Sequence, residues 1–374
     1  MKARAIIGIL VGAVFLVLAF WGVPLDVFFQ AFDRLDLRYL LPIALLFFAQ
    51  ETVRAIRQLV FMRPLAPKMR LGSSLSIFFI SFLCIHVFPA RLGEVVRPYL
   101  LARRENVPLS ATTGVVVAER AIDALAAALM LVGFLVWVDL PENLVVAGHA
   151  FRLDTLTHVA GFMLMPVVLA VLLAVTLFPD RLVKLLQTVL GLISRIPGLR
   201  WVNRHDTCVA EAMHAFTVGF HGLRQSGSLA LVTGLTILSW GITMCMYWLL
   251  AFAFHIETLV GPSESLGVMV ITMWAAVLPA PPAMAGVQEA FGRGALALFG
   301  VSGPELSGVG LAYAVLIHWG QVLLQALGAW FFLIKDGLNL ASLAEVVRLT
   351  PCAGVDGHAV DPGVDPSNAG GSPR

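Results

Sequence analysis

Residues 73–97 read SSLSIFFISFLCIHVFPARLGEVVR. The stretch up to residue 88 is apolar enough to enter a membrane, but it then meets Pro89 and continues into Arg91, Glu94 and Arg97. Proline interrupts a helix, and charged side chains at membrane depth need a cavity or a partner. The segment therefore predicts a re-entrant, proline-broken helical hairpin near residues 73–104.

The rest of the chain has the composition of a membrane protein. Of its 374 residues, 59% are hydrophobic and 13% are charged, whereas soluble domains have about 25% charged residues. Apolar runs long enough to cross a hydrocarbon core of about 30 Å recur along the chain. We predict an all-α integral membrane protein with six full spans, at 5–23, 39–62, 111–138, 158–178, 228–253 and 311–334.

A second broken stretch resembles the first. Residues 266–289 read LGVMVITMWAAVLPAPPAMAGVQE, again an apolar half-helix that ends in Pro-Ala and resumes at a glycine before a carboxylate. We predict a second re-entrant hairpin near 265–300, so that the two membrane halves form an inverted repeat, as in many transporters. The predicted hinge residues are Pro89, Gly93, Pro279, Pro281, Pro282 and Gly286.

The loop charges predict the orientation. Lys and Arg concentrate at 1–4, 63–70, 103–104 and 181–204, whereas the loops with Asp26, Asp33 and Asp36, then with Asp139 and Glu142, lean acidic. Because cytoplasmic loops hold the basic excess, we predict both termini in the cytoplasm of a bacterial inner membrane. The predicted organisation is a membrane half at 1–178, an interfacial amphipathic linker at 179–225, a second half at 226–335 and a largely disordered cytoplasmic tail at 336–374.

Ionisable residues recur at helical spacing inside the predicted hairpins and spans. They predict a site that binds an anionic group such as phosphate, because arginine holds phosphate with two parallel hydrogen bonds. The charges of this set, counted with Arg57 and Arg293, leave a surplus of one positive charge. The predicted substrate-binding residues are Glu51, Arg54, Arg91, Glu94, Arg97, Glu119, Arg120, Asp123, Gln288 and Glu289.

Structural explanations compete with this one. Arg–carboxylate pairs also lock helices together, and long arginines near a membrane surface can reach water. We favour these explanations for Arg57, Arg103 and Arg104. For His318, Gln321 and Gln325, inter-helix hydrogen bonds explain the residues as well as a site does. These three are therefore left out of the predicted site.

The motif from Pro89 to Glu94 with Arg97, the Glu119, Arg120 and Asp123 set, and the 279–289 stretch resemble the lysylphosphatidylglycerol synthase transmembrane-region family, also called flippase-like. The likeness spans residues 5–335. It implies a lipid-translocating membrane fold. The second motif departs from the family, which is richer in glycine where this chain reads PPAMAG at 281–286. The aminoacyltransferase domain of the synthases has no counterpart here, so aminoacyl transfer is not expected.

Three functions remain open from the sequence. The first is a translocase for an anionic, modified or polyprenyl-linked lipid, driven by the substrate gradient or by protons through residues such as Glu94, Asp123 and Glu289. The second is a non-transporting partner of lipid-, glycolipid- or hopanoid-synthesis enzymes. The third is a membrane-embedded lipid-modifying enzyme, which we do not favour because no catalytic, metal or cofactor motif is recognisable. The small net charge of +2 argues against nucleic-acid binding.

Overall fold

A computed structural model describes residues 2–88, 93–138, 144–146, 149–151, 160, 163–168, 170, 188, 228–275, 281–338 and 343. Outside these residues lie most of the predicted span at 158–178, nearly all of the predicted linker and tail, and the predicted site and hinge residues Pro89, Arg91 and Pro279. The described helices are α1 (Lys2–Phe20), α2 (Leu25–Asp33), α3 (Leu40–Met62), α4 (Leu71–Val87), α5 (Val96–Glu105), α6 (Leu109–Trp137), α7 (Leu229–Ala253), α8 (Pro262–Trp274), α9 (Val287–Leu298) and α10 (Gly303–Asp336).

The described fold is helical apart from one short hairpin. Its strands β1 (Leu144–Val146) and β2 (His149–Phe151) pair antiparallel, with Leu144 opposite Phe151. The sequence analysis did not predict these strands, which follow α6 where we placed an acidic loop. β-branched valines at 145 and 146 favour the extended backbone there.

Three described helical segments are long and apolar enough to cross a bilayer by length and composition. They are Leu37–Met62, Leu229–Ala253 and Gly303–Asp336. The first includes a 3₁₀ turn, Leu37–Tyr39, that leads into α3. These segments agree with the predicted spans at 39–62, 228–253 and 311–334, and the chain is a membrane protein. The complete layout of six spans remains a prediction.

Helix α1 covers most of the first predicted span, but the chain then bends into a second helix. Residues Leu10–Phe20 of α1 meet α2 at 77°. We expected 24–38 to be a loop. Instead, Gly22 takes a left-handed conformation, and Pro24 directly precedes α2. The fixed φ angle of proline suits the start of a helix. The acidic residues Asp26 and Asp33 therefore lie on a helix.

The two halves repeat one order of elements. In the first, the long helix α3 is followed by the short apolar α4, a break with a 3₁₀ turn at 93–95, the short α5 and the long α6. In the second, α7 is followed by α8, a break with the 3₁₀ turn Pro282–Met284, then α9 and α10. Both predicted helix breaks are thus present where the sequence placed them.

Helices of one half pack on helices of the other. Helix α3 packs on its counterpart α7, α4 packs on α10, and α8 packs on α6. Each short apolar helix therefore contacts the long helix of the other half. A twofold relation between the halves would produce these pairs.

Two apolar cores hold the described helices together. One is built mainly from α2, α7, α8 and α10, around buried side chains such as Met246 and Tyr313. The other lies between α3, α4, α5 and α6, around side chains such as Ile77 and Leu100. Buried charged side chains of α3, α5 and α6 lie beside this second core, at the first helix break.

Candidate functional site

The chain that resumes at Gly93, after the first break, lies close against α4. Helix α4 ends at Val87, and Phe88 is extended. A Cβ atom on Gly93 would lie 2.2 Å from the carbonyl carbon of Cys84 and 2.3 Å from the amide nitrogen of Ile85. Only glycine lets the returning chain approach the α4 backbone so closely. Gly93 is therefore the point of closest approach between the returning chain and α4, and its role as a hinge remains a prediction.

Arg97 lies in the first turn of α5 and in the protein interior. Its guanidinium donates a hydrogen bond to a carboxylate oxygen of Glu119 on α6, and both side chains are almost fully buried. The guanidinium carbon lies 3.9 Å from the centre of the Phe78 ring, a cation–π arrangement. Arg97 thus fastens α5 to α6 and to α4.

Arg57 and Asp123 form a second pair across helices. The two guanidinium nitrogens Nη1 and Nη2 donate to the two carboxylate oxygens of Asp123 at 2.6 and 2.9 Å. Nη1 also donates to the hydroxyl of Thr236 on α7, at 3.0 Å. This contact network joins α3, α6 and α7, in agreement with the structural explanation that we favoured for Arg57.

Arg54 and Arg120 are the arginines with spare hydrogen-bond capacity. Arg54 donates to Glu51 at 3.1 Å from the preceding turn of α3. Arg120 makes no ion pair within the described part of the chain, and its guanidinium lies 5.6 Å from the centre of the Phe82 ring. The Arg54 guanidinium lies 5.8 Å from the same ring. The Phe82 ring therefore has two cations near it, contributed by α3 and α6.

Several buried polar atoms of this region have no hydrogen-bond partner among the described residues. They include Oε2 of Glu51, Oε1 of Glu119 and the Nε atoms of Arg57 and Arg97. Such atoms normally find a partner, because burying one without a hydrogen bond costs about 1–3 kcal/mol. The ionisable residues of α3, α5 and α6 described above form what we name the charge cluster: Glu51, Arg54, Arg57, Arg97, Glu119, Arg120 and Asp123.

Glu94 differs from the rest of the predicted site. It lies in the 3₁₀ turn at 93–95, directly after the first break, and it is exposed. Arg97, three residues later, is buried. The structure thus places Glu94 on the surface at the end of the break, and the buried carboxylates near the arginines are Glu51 and Glu119.

The chain that resumes at Pro281, after the second break, contacts α1. A Cβ on Gly286 would lie 2.4 Å from the carbonyl oxygen of Gly12, and the φ of Gly286 is +84°, in the left-handed region. Pro281 lies against Gly12 as well, and Pro282 starts the 3₁₀ turn. These residues are therefore held by α1.

Glu289 is held within its own half. One carboxylate oxygen accepts a hydrogen bond from the Gly286 N–H at 2.7 Å, which satisfies the start of α9. The other lies 2.8 Å from Nδ1 of His318 on α10. Gln288 approaches the sulfur of Met284 at 3.6 Å. The second half thus presents a carboxylate–imidazole pair where the first presents arginines.

Two further predicted groups have structural contacts. Gln325 donates to the carbonyl oxygen of Phe79 at 3.1 Å, which joins α10 to α4. Arg293 donates to the carbonyl oxygens of Ala19 and Trp21, at 2.7 and 2.9 Å, at the C-terminal end of α1. Arg293 was counted in the surplus positive charge of the sequence, but it lies away from the charge cluster, whose four arginines and three carboxylates leave one positive charge without it.

Sequence reasoning missed the uncharged members of the site. Phe78 and Phe82 lie on the apolar face of α4 next to the arginines, and Thr236 accepts from Arg57. Gln50, one residue before Glu51, donates to Thr243 on α7. Only Gln50, a polar residue in an apolar run, carried a signal in the sequence.

Comparison with known proteins gives one match. A family model described as "Lysylphosphatidylglycerol synthase TM region" matches residues 5–337. No curated protein and no solved structure was found to match the chain. The match covers both breaks, the charge cluster and the Glu289–His318 pair.

Proposed function

The chain belongs to the lysylphosphatidylglycerol synthase transmembrane-region family, and from this premise we propose that it translocates a lipid with an anionic headgroup between the leaflets of a bacterial inner membrane. Membership supports a role connected with membrane lipids. The movement of lipid, the headgroup and the membrane are our proposal. The proposed translocation involves no catalytic step and no cofactor.

One observation carries the proposal: the charge cluster lies beside a broken helix, four of its seven side chains are buried, and it has unused hydrogen-bond capacity. A charged side chain at the bilayer centre costs about 2.5–3.5 kcal/mol on insertion scales, so membrane proteins keep such residues where they serve a function or a partner. Arg57 and Arg97 have carboxylate partners. Arg120 makes no ion pair in the described part of the chain, and Oε2 of Glu51 and Oε1 of Glu119 have no hydrogen-bond partner there.

The contacts suggest how a headgroup would bind. Arg54 and Arg120 approach the Phe82 ring from two helices, so a phosphate beside this ring would receive donors from both. The free carboxylate oxygens of Glu51 and Glu119 would accept hydrogen bonds from a hydroxyl or amine on the same headgroup. Arg97 belongs to the binding residues predicted from the sequence, but it has no phosphate role in this assignment because its guanidinium is paired with Glu119.

The architecture suggests how movement would follow. Each half has a short apolar helix, a break and a long helix, and each short helix packs on the long helix of the other half. If the halves are inverted, as we predicted, rocking one against the other would expose the first break to each leaflet in turn. The lipid chains would remain in the bilayer throughout.

The test is a lipid-scrambling assay on purified protein in liposomes. Dithionite destroys fluorescent label only in the outer leaflet, so quenching beyond about half of the label reports translocation. The lipids would be labelled phosphatidylglycerol, an aminoacylated phosphatidylglycerol and a polyprenyl phosphate. We expect the wild type to translocate one or more of them and the Arg54→Gln/Arg120→Gln variant to be at least about tenfold slower, the effect of roughly 1.4 kcal/mol.

The matched control is Arg38→Gln/Arg63→Gln, which removes two positive charges from exposed positions outside the cluster. Glu94→Gln tests the carboxylate at the break separately. Full activity of the Arg54→Gln/Arg120→Gln variant would reject the charge cluster as the headgroup site. No translocation of any lipid by folded wild-type protein would favour a partner in lipid synthesis, and product formation would favour an enzyme.

A further inference from the structure

A second charged region lies apart from the charge cluster, at the ends of α4, α5 and α10. The start of α4, the end of α5 and the end of α10 enclose a cavity of about 470 Å³. Six charged side chains line it: Lys68, Arg70, Arg104, Glu105, Lys335 and Asp336. We call it the basic cavity, because four of these six are cations.

Both carboxylates of the basic cavity already have partners. Glu105 accepts a hydrogen bond from the Ser73 hydroxyl at 2.8 Å. Asp336 accepts from Ser76 and from Arg104. The anionic groups are therefore used in joining α4, α5 and α10 to one another.

Three cations of the basic cavity remain without a carboxylate. Lys68 and Arg70 make no ion pair in the part of the chain that the structure describes, and both are exposed. The Lys335 ammonium lies 5.7 Å from the centre of the Phe332 ring and makes no ion pair among the described residues. Two of these cations come from the first half of the chain and one from the end of the second.

The backbone adds donors at the same place. Helix α4 starts at Leu71, and its N-cap residue Arg70 makes no capping hydrogen bond with its side chain. The cavity is lined by Gly72 and Ser73, in the first turn of this helix, where amide N–H groups have no partner within the helix. Such amides favour an anion, although the three unpaired cations are the main reason to expect one.

We propose that the basic cavity is a binding site for a phosphate group, separate from the charge cluster. Lys68, Arg70 and Lys335 would donate to the phosphate oxygens, together with the first amides of α4. Because the donors come from both halves, the bound phosphate would bridge α4 to the end of α10. This site does not depend on whether the protein translocates lipid.

The phosphate could belong to a lipid or be free in solution. The cavity lies where the apolar helices α4 and α10 end, and the neighbouring side chains Leu71, Phe331 and Ile334 are exposed. If α10 crosses the bilayer, its end would lie at the depth of lipid headgroups, where juxtamembrane cations attract anionic lipids. A soluble phosphate would use the same donors without touching these apolar side chains.

Native mass spectrometry of the full chain tests the proposal. Protein in mixed micelles with equal amounts of phosphatidylglycerol and phosphatidylcholine should retain the anionic lipid preferentially. We expect Lys68→Gln/Arg70→Gln to lower the ratio of the retained lipids by about tenfold or more, because hydrogen bonds to charged groups are strong. The Arg38→Gln/Arg63→Gln variant has the same change in net charge outside the cavity and should keep the wild-type ratio.

A second arm identifies the source of the phosphate. Inorganic phosphate at millimolar concentration is added before the measurement: retention that resists it supports a lipid headgroup, and displacement supports a free phosphate. Lys335→Gln repeats the test from α10 in case the double variant does not fold. Equal retention by Lys68→Gln/Arg70→Gln, Lys335→Gln and the control variant would overturn the proposal. Scrambling is not measured, so failure here leaves the translocase proposal intact.

Discussion

Replacing Gly93 with alanine tests whether the first break depends on close backbone approach. The added Cβ would lie 2.2 Å from the Cys84 carbonyl carbon and 2.4 Å from its oxygen, whereas ordinary contacts begin at 3.4 Å. The returning chain would have to move by about 1.2 Å, the difference between these two distances. The obstructing atoms are backbone atoms of a packed helix, which cannot rotate away as a side chain can.

Overpacking of this kind costs about 1–3 kcal/mol, and a rigid neighbour places Gly93→Ala in the upper part of that range. We expect a lower melting temperature in detergent and slower translocation, because displacement of the break also displaces Arg97. Gly234→Ala on α7 is the control, since its Cβ would meet nothing within 4 Å. If the Gly93→Ala variant has the same melting temperature as the Gly234→Ala variant and translocates lipid at the wild-type rate, the reasoning about the break is refuted.

Three further substitutions separate structural from functional contacts. Glu119→Gln should destabilise the protein by about 3–5 kcal/mol, because it leaves the buried charge of Arg97 unpaired. The double variant Glu119→Gln/Arg97→Gln should recover part of the lost melting temperature. Arg293→Gln removes the donor to the end of α1 and should lower the melting temperature, by about 1.5–3 kcal/mol in stability, without changing lipid preference. Gly328→Ala would place a Cβ 2.3 Å from the Phe79 ring and should weaken the packing of α10 on α4; unchanged melting would contradict this contact.

The sequence predicted the helix breaks well because their signals are local. Proline ends an apolar run, and a glycine restarts the chain, so both breaks were placed without knowledge of any tertiary contact. The spans around α3, α7 and α10 were predicted for the same reason, from uninterrupted apolar runs. The bend between α1 and α2 was missed, because Trp21 and Gly22 interrupt a run that is apolar on both sides.

The site was predicted less completely because its members meet only in three dimensions. Helical spacing correctly paired Glu51 with Arg54, which are neighbours on one helix. It could not show that Arg97 pairs with Glu119, or that Arg293 lies at the end of α1. An arginine that binds a headgroup and one that caps a helix look alike in a sequence.

The two halves share an order of elements but not a chemistry, and this difference bears on mechanism. The first break lies beside the charge cluster, with arginine donors and orphaned carboxylate oxygens, whereas the second is closed by the Glu289–His318 pair and held by α1. An anionic headgroup that passes between two such halves would not be shared equally. Its phosphate would stay with the first half, and the second half would form the opposite wall. Inverted architecture would then supply the alternation of access, while specificity for the headgroup would reside in the first half alone.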